Sequence, residues 1–395
     1  MDLQGRKIAI VGAGIGGLTA AVALERAGAQ VCVVERRPEL VRVQAGGGMH
    51  LWHNGIRALA TIGLAAPIAE FGERGAAVER AEFCSYRRGL LASWPVERIG
   101  QDLGAPTVGV SRDQLHRILL DAAGNCDLRL GSECREITSG QRPRIELADG
   151  DTIEADLIIG ADGLNSVVRE YLFGRSPARA AGYSTWQAIV THSDLPSSPG
   201  LFQVIWGPGA RFLYYRLADG RLYWEGQFAA KPGGSDPPGQ RRAAVLRRFG
   251  EWGPAVRQMV AMTEERAISR LDVYDRPPLR TWSRGQVTLL GDAAHPMTNA
   301  IGQGANQTIE DAVVLARLAQ KQPDWPSALR EYERLRVPRT TSMVRTARNL
   351  QRFNRWRSPA ACRLRDELIR VAFRTVALRQ HTKDMAVTFP MSASA

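Results

Sequence analysis

A glycine-rich turn near the N-terminus is the strongest chemical signal in the chain. Gly12, Gly14 and Gly17 have the G-x-G-x-x-G spacing and separate an apolar run, Lys7 to Val11, from a segment with helical spacing. The first glycine permits a tight turn, the second lets the backbone approach a pyrophosphate, and the third lets helix and strand pack closely. The helix N-terminus then offers free N–H groups and a positive dipole end to phosphates. The spacing predicts a binding site for an adenine dinucleotide.

An acidic residue stands where such a site needs one. Glu35 ends a second apolar run, Val31 to Val34. A carboxylate at this position accepts hydrogen bonds from ribose hydroxyls and repels a 2′-phosphate, so we do not expect NADP at this site. The neighbouring Arg36 is a further candidate for cofactor contact. Position alone does not separate FAD from NAD.

Two aspartates further along the chain make that separation. Asp162 lies in the segment Gly160 to Arg169, and Asp292 in the segment Gly291 to Pro296. Each segment directly follows an apolar run typical of a buried strand, and ligands bind at the carboxyl ends of strands in open α/β sheets. One such aspartate is usually a helix cap. Two of them behind a terminal dinucleotide motif favour FAD.

In these motifs the sequence resembles the class A flavoprotein monooxygenases, the family of para-hydroxybenzoate hydroxylase, salicylate hydroxylase and zeaxanthin epoxidase. The resemblance extends from Lys7 to about Arg334. It implies FAD on the first βαβ unit, with Asp162 near the pyrophosphate and the nicotinamide approach path and Asp292 bonded to the ribityl chain. It also implies reduction by NADH or NADPH, formation of a flavin C4a-hydroperoxide with O₂, and oxygen transfer to a small aromatic or polycyclic substrate.

The resemblance implies further contacts with the cofactor. Arg112 matches a family arginine at the start of a helix. Gly46 to Leu51 and Asn54 to Leu64 resemble the family segment that runs beneath the isoalloxazine. Gly302, Gly304 and Ala305 open a helix whose N-terminus faces the flavin pyrimidine edge in the family. A positive dipole end and free N–H groups stabilise an anionic reduced flavin.

The chain departs from the family pattern at Asn299 and Ala300. The family commonly has a proline two residues after the position of Met297, followed by an asparagine. We therefore expect a different contact geometry beside the reactive carbon, with FAD binding unaffected.

A stretch rich in aromatic and β-branched residues, Tyr183 to Ala230, is the candidate wall of a substrate pocket. The oxygenating flavin species decays when water reaches it, so the implied chemistry requires a dry pocket. The candidate substrate contacts are Trp186, Phe202, Trp206, Tyr215 and Trp224. Each is also explained as plain core, because strand positions alternate between two faces and the sequence does not fix which face is inward.

Three histidines lie near the flavin by the resemblance: His50, His53 and His295. A phenolic substrate needs help in losing its proton, so His50 is the candidate catalytic acid or base. His295 belongs to a structural motif and is expected to pack against backbone. Arg211 and Tyr215 could bind an anionic or oxo substrate or, equally, form a hairpin surface pair. The sequence contains no metal-ligand spacing, Ser-His-Asp order or P-loop, so we expect no metal site and disfavour hydrolase and kinase chemistry.

The elements that position these residues define the fold class. Strand, glycine turn, helix and strand over residues 7–34 form a βαβ unit, which predicts a parallel sheet. The aromatic stretch, divided by turn signals at Gly207–Gly209 and Asp219–Gly220, predicts an antiparallel meander in another layer. The predicted class is α/β: a Rossmann-like FAD-binding domain, an antiparallel-sheet substrate domain and a helical C-terminus.

The predicted domains are discontinuous in sequence. Residues 1–75, 102–176 and 268–340 form the FAD-binding domain, and residues 76–101 and 177–267 form the substrate domain. Within the latter, residues 240–262 have helical spacing. Residues 341–395 form a C-terminal helical segment, and Pro338 and Pro359 punctuate the helical region. Within the segment, Val344 to Thr382 is expected to pack over the pocket or to form a subunit contact, and its basic face could equally have no partner.

The overall composition limits the kinds of partner that the protein is expected to bind. The net charge of +12 is spread along the chain, and basic residues outnumber acids strongly only from Arg336 to Arg379. We attribute it to a basic solvated face that attracts anionic cofactors, not to a nucleic-acid or membrane partner. Five cysteines without a Cys-x-x-Cys pair favour free thiols in a reducing compartment. We predict a cytoplasmic monomer or homodimer that acts on a small molecule.

Two other functions are alternatives to the monooxygenase. A flavin halogenase shares the glycine motif, but its W-x-W-x-I-P segment is absent from the sequence. An FAD-binding redox protein without oxygenase activity would keep the glycines and need no aromatic pocket.

Overall fold

The computed structural model describes residues 1–40, 47–71, 77–140, 142–192, 194 and 196–386. Gly46, the boundary between residues 75 and 76, and the last residues of the predicted C-terminal segment lie outside these ranges. In chain order the strands are β1 Lys7–Val11, β2 Gln30–Glu35, β3 Gly48–Leu51, β4 Arg80–Ser85, β5 Gly89–Pro95, β6 Val108–Ser111, β7 Asp127–Leu130, β8 Cys134–Thr138, β9 Arg144–Leu147, β10 Thr152–Glu154, β11 Leu157–Gly160, β12 Arg179–Val190, β13 Leu201–Gly207, β14 Ala210–Arg216, β15 Leu222–Ala229, β16 Ser269–Asp275 and β17 Val287–Leu289. The helices are α1 Ile15–Glu25, α2 His53–Thr61, α3 Ala65–Phe71, α4 Val96–Leu103, α5 Arg112–Ala122, α6 Val167–Phe173, α7 Arg241–Phe249, α8 Pro254–Met262, α9 Gly304–Lys321, α10 Trp325–Asn354, α11 Pro359–Arg374 and α12 Val376–Met385.

The first sheet is parallel and has five strands in the order β17-β11-β1-β2-β7. Ile8 pairs with Val31 on one side and with Leu157 on the other. Apolar runs fill these central strands because both faces are covered, as in doubly wound folds. The carboxyl ends of β1, β11 and β17 therefore share one edge, and the three motif segments follow them directly. This confirms the predicted Rossmann-like sheet.

The second sheet has seven strands in the order β16-β12-β15-β14-β13-β4-β5. Its strands run antiparallel except for the parallel pair β13 and β4, and it contains the predicted aromatic meander. It also contains β16, although the sequence analysis assigned residues from 268 onward to the first domain. The other predicted domain boundaries stay a proposal.

The sequence predicted a single helical stretch over residues 240–262, but the structure has two helices there, α7 and α8. Gly253 has φ +135 between them, a conformation that L side chains rarely adopt, and Pro254 begins the next helix. A glycine in that conformation followed by proline ends one helix and starts another.

The C-terminal part is helical, as predicted. Pro359 lies in the first turn of α11, but Pro338 lies inside α10 and does not end it. Proline removes one backbone hydrogen bond, and the nearby Arg336, only 2% exposed, anchors α10 to Glu310 and to Asp311 (Nε to Oδ1, 2.6 Å). Within the described ranges, no helix combines the length and the apolar character needed to cross a membrane.

Candidate active site

One cavity of about 850 Å³ joins the edge of the first sheet to one face of the second. We call its two ends the glycine end and the aromatic end. The glycine end is formed by Gly12–Gly16, Glu35, Arg36, Arg112, Asp162 and Asp292. The aromatic end is formed by His50, Trp52, Phe83, Trp94, Phe202, Val204, Trp206, Arg211, Leu213, Tyr215, Tyr223, Glu225, Leu350, Phe373 and His381. All predicted cofactor residues line the cavity except Gly17.

The glycine turn is shaped by two positions that admit no side chain. Gly12 has φ +105, and a Cβ there would lie 2.6 Å from the Ala161 carbonyl oxygen. A Cβ on Gly17 would lie 1.8 Å from the Gly12 carbonyl oxygen, so Gly17 serves close packing and does not face the cavity. Gly14 differs, because a Cβ there would meet no described atom within 4 Å. Gly14 directly precedes α1 and provides no side-chain cap, which leaves the first N–H groups of the helix available to a ligand.

Two side chains contact the backbone of this turn by hydrogen bonds. Glu35 accepts hydrogen bonds from the backbone N–H groups of Ala13 and Arg37, both at 3.0 Å. His116 Nε2 lies 2.8 Å from the Ala13 carbonyl oxygen and also lines the cavity. His116 was not predicted from the sequence, although it lies about one turn into α5 and only four residues after the predicted Arg112, because a contact with a carbonyl oxygen leaves no sequence pattern.

The two aspartates line the cavity in different states. One Asp162 oxygen accepts from the Val167 N–H at 2.7 Å, whereas Oδ1 is buried with no hydrogen-bond partner among the described residues. Burial raises the pKa of Asp162. The Asp292 side chain is exposed to the cavity. Arg169 ties the two segments together, because its Nη1 donates to the carbonyl oxygens of Ala293 and Ala294 at 2.9 and 3.0 Å.

The N-terminus of α9, with Gly302, Gly304 and Ala305, also lines the cavity and is counted here with the glycine end. Gly302 has φ +63, and Gln303 precedes the helix without a side-chain cap. Asn306 of this helix accepts from the Trp52 backbone N–H and donates to the His50 carbonyl oxygen, each at 3.0 Å. These bonds hold the helix N-terminus against β3, which contains His50.

His53 and His295 do not line the cavity. His53 Nδ1 lies 2.7 Å from the Ala105 carbonyl oxygen, and burial lowers its pKa. His295, 2% exposed, lies 2.5 Å from an oxygen of the buried Asp311. Its partner is this carboxylate, where the sequence analysis expected backbone.

The predicted substrate contacts lie on two different faces of the meander. Phe202, Trp206 and Tyr215 line the cavity. Trp186 and Trp224 were predicted beside them but lie on the opposite face, in the cluster covered by α7 and α8. Their indole N–H groups donate to Asp236 and Thr263, at 2.7 and 2.9 Å. Side chains alternate along a strand, and these two occupy the positions whose register points away from the cavity.

A buried charge pair lies on the cavity face of the meander. Arg211 and Glu225, 3% and 5% exposed, approach to 3.3 Å, which excludes the interpretation of Arg211 as a hairpin surface residue. Asn299 and Gln227 each donate to the Glu225 carboxylate at 2.7 Å. Asn299, at the position where the chain departs from the family pattern, thus contributes to this cluster.

His50 lies among aromatic rings. Its ring centroid is 3.7 Å from that of Tyr215 and 4.5 Å from that of Phe202. Burial lowers the pKa of His50 to about 3, so the imidazole is neutral at neutral pH. Its Nε2 is buried and has no hydrogen-bond partner within the described part of the chain.

The C-terminal helices close the aromatic end. Phe373 of α11 accepts a hydrogen bond at its carbonyl oxygen from the Trp94 indole, at 2.8 Å. The His381 ring of α12 lies 4.8 Å from Trp52 and 5.1 Å from Trp94, between centroids. The sequence predicted a helical segment over the pocket or at a subunit contact and named no residue in it. The large apolar side chains of these helices at Leu364, Leu368, Val371 and Val376 are exposed, so they do not mark the face that covers the cavity.

Comparison with known proteins agrees with this geometry. The model of the family described as FAD binding domain matches residues 6–347. The chain is 36% identical over 368 residues to an aurachin C monooxygenase/isomerase from Stigmatella aurantiaca, covering 93% of this chain and 94% of the relative. It is 37% identical over 351 residues to a 3-amino-4-hydroxybenzoate 2-monooxygenase from Streptomyces cremeus, covering 87% and 86%.

Among solved structures, Klebsiella pneumoniae HpxO complexed with FAD and uric acid matches with a TM-score of 0.88 and 27% identity, covering 96% of each chain. Of the described residues, no group of three or more His, Cys, Asp or Glu side chains is arranged to hold a metal ion. The chain belongs to the class A flavoprotein monooxygenases and is an FAD-dependent oxidoreductase.

Proposed function

We propose that this enzyme uses FAD, NADH or NADPH, and O₂ to hydroxylate or epoxidise a small aromatic or polycyclic substrate. The observation that carries the proposal is the continuity of one cavity from the glycine turn to a wall of aromatic rings. A cofactor at one end and a substrate at the other then share a single continuous space. The activities named for the relatives support the same class of reaction.

The glycine end has the features that an FAD pyrophosphate and its ribityl chain require. Two uncapped helix N-termini, those of α1 and α9, present N–H groups to the cavity. Gly14 leaves open space where a phosphate would approach, and Asp292 presents a carboxylate to which sugar-type hydroxyls can donate. We propose that these residues, with Glu35 and Arg112, hold the cofactor. When bound, FAD would accept electrons from the nicotinamide and activate O₂.

The residues of the aromatic end would keep water from the reacting atoms. Phe202, Trp206 and Tyr215 contribute the sheet wall, and Phe373 covers it from the C-terminal helices. An enclosed apolar site suppresses loss of the activated oxygen to solvent. The alternative, a redox protein without oxygenase activity, has no need of such a wall, so the wall favours the oxygenase.

We propose that His50 acts in this site as a neutral hydrogen-bonding group. The sequence suggested an acid or base near neutral pH, and a general base works best when its pKa lies near the working pH. Burial lowers the pKa of His50 to about 3, which makes it a weak base, while its free Nε2 remains available to a ligand atom.

The remaining proposals concern the setting of the enzyme. All five cysteines are free thiols, which supports a reducing compartment, and we propose a cytoplasmic location. We propose a monomer or homodimer, which light scattering on the purified protein distinguishes.

The test is a substrate panel of aromatic acids, purines and polycyclic compounds, scored by oxidation of NADH or NADPH with oxygen uptake. We expect a yellow protein with flavin absorbance, stimulation by at least one panel member, and one labelled oxygen atom in the product formed under ¹⁸O₂. Substrate-stimulated oxidation that yields peroxide alone, without labelled product, would contradict the oxygenase and favour the redox protein. Gly12→Ala, which cannot form the turn, is the cofactor-free control.

A further inference from the structure

The aromatic end of the cavity carries no net charge among its described lining residues. Arg211 and Glu225 are its only formal charges there, and they neutralise each other at 3.3 Å. Its two histidines add none, because burial lowers the pKa of both His50 and His381 to about 3. A carboxylate moved into this space would lose its hydration and meet no unpaired cation.

Four nitrogen atoms at this end are buried without a hydrogen-bond partner in the described ranges: Nε2 of His50, Nε1 of Trp52, Nε of Arg211 and Nε2 of His381. Two of the four, Nε1 of Trp52 and Nε2 of His381, lie on rings whose centroids are 4.8 Å apart. Both residues line the cavity. An indole N–H can only donate, so the atom that satisfies Trp52 must be an acceptor. A buried donor left unmatched carries a free-energy cost, which a bound acceptor removes.

The aromatic rings around Trp52 and His381 indicate what the remainder of a bound ligand should look like. Trp94 and Phe373 stack at 5.1 Å between ring centroids, and Phe83 packs edge-on to Phe373 at 4.5 Å. Offset and edge-to-face geometry of this kind suits a further flat ring. The wall therefore combines aromatic surface, an unsatisfied indole donor and electroneutrality.

We propose that the aromatic end binds an uncharged aromatic substrate whose carbonyl or hydroxyl oxygen accepts a hydrogen bond from the Trp52 indole, with His381 of α12 as the second hydrogen-bonding group. The inference rests on the proposed function, whose substrate class it narrows. It makes α12 a part of the substrate site. His381 is then a specificity-determining residue contributed by the C-terminal segment.

The first experiment measures binding without turnover. Isothermal titration of the FAD-loaded enzyme, without NADH or NADPH, compares 2-naphthol, 2-naphthoate and naphthalene, which share one ring system and differ in charge and hydrogen bonding. We expect 2-naphthol to bind on the order of a hundred-fold more tightly than 2-naphthoate. Equal or tighter binding of 2-naphthoate, or no binding by any of the three, would overturn the assignment.

The second experiment assigns the two nitrogens. In Trp52→Phe the preference for 2-naphthol over naphthalene should shrink about three- to ten-fold, the value of one hydrogen bond between neutral groups. His381→Phe keeps an aromatic ring beside Trp94 and should produce a similar loss. Gln380→Ala changes an exposed residue of the same helix and should leave the preference unaltered.

Two outcomes would count against these roles. If Trp52→Phe weakens FAD binding and leaves the naphthol preference intact, the indole serves the cofactor and the proposal fails. If His381→Phe and Gln380→Ala behave alike, α12 contributes no specificity. Because the assay needs no turnover, it separates the two proposals: charge selectivity without labelled product refutes the oxygenase alone, and labelled product without charge selectivity refutes this assignment alone.

Discussion

The two ends of the cavity present different kinds of groups to a ligand. The glycine end offers backbone N–H groups at two helix N-termini, together with the carboxylates of Asp162 and Asp292. The aromatic end offers ring surfaces and a self-neutralised charge pair. The first arrangement suits a polar, phosphate-bearing cofactor, and the second suits a ligand that must leave water. The enzyme therefore separates charge recognition from hydrophobic recognition along one continuous space.

The largest expected effect tests the glycine end. In Gly12→Ala the new Cβ meets the Ala161 carbonyl oxygen in a left-handed conformation, so FAD affinity should fall by about a hundred-fold or more and stability by about 2 kcal/mol. Flavin absorbance after gel filtration and urea unfolding measure the two losses. Gly14→Ala is the matched variant, because its Cβ meets no described atom. It should keep its stability and still bind FAD more weakly. Unchanged FAD affinity in Gly14→Ala would contradict the placement of the pyrophosphate at this turn.

The next effect isolates a single carboxylate. Asp292→Ala should weaken FAD binding at least about ten-fold and deplete the yellow colour, because hydrogen bonds to a charged group contribute about 1.5–3 kcal/mol. The fold should be unaffected, since the side chain is exposed. Asp151→Ala, an exposed carboxylate outside the cavity, is the control. Full FAD retention in Asp292→Ala would show that this carboxylate has no part in binding.

A third change should give the aromatic end of the cavity an unpaired charge. Glu225→Gln leaves Arg211 without its counter-charge, so the affinity of 2-naphthoate relative to 2-naphthol should rise about ten-fold. Arg211→Gln should change the ratio in the opposite direction, and the double variant should return it toward the original value. Titration calorimetry measures the ratio. No movement in any variant would mean that this pair does not set the charge selectivity.

The smallest effect concerns pH. The pKa of His381 falls from its ordinary value of 6.5 to about 3 on folding, through burial and the nearby His53, so the unfolded chain binds a proton that the folded chain does not. Stability should therefore be unaffected well above pH 6.5 and decrease as the pH falls below it. Between about pH 7 and about pH 6, His381→Phe should reduce this loss by about 0.7 kcal/mol, measured by urea unfolding. Leu368→Phe, which introduces the same side chain at an exposed position without removing a titratable group, should not alter the pH dependence.

The glycine end could be predicted from sequence because its requirements are local. A left-handed turn at Gly12, close packing at Gly17 and an aspartate directly after a buried strand each leave a short pattern with its own physical cause. Strand order then brings the patterns together without further information. His116 and Arg169 escaped notice because each stabilises the site through a carbonyl oxygen, and any residue has one.

For the aromatic end, the sequence predicted that aromatic residues would line the pocket but not which of them. Alternation divides the meander into two sets of side chains, but both sets are aromatic and both are buried, so hydropathy does not rank them. The inward set is decided by α7 and α8, which cover the face that holds Trp186 and Trp224. His381 lies against Trp52 but comes from a helix more than three hundred residues downstream of it, a juxtaposition that no local pattern encodes.

The strand order of the first sheet also determines the order in which the two ends of the cavity can form during synthesis. Because β17 pairs with β11, the glycine end needs residues up to 289, and α9, which follows, completes its edge. The aromatic end waits for α11 and α12, which are translated last. Domains fold as the ribosome delivers them, so the nascent chain passes through a stage in which the flavin crevice is built while its far wall is open. Cofactor loading can thus precede closure of the active site during biosynthesis.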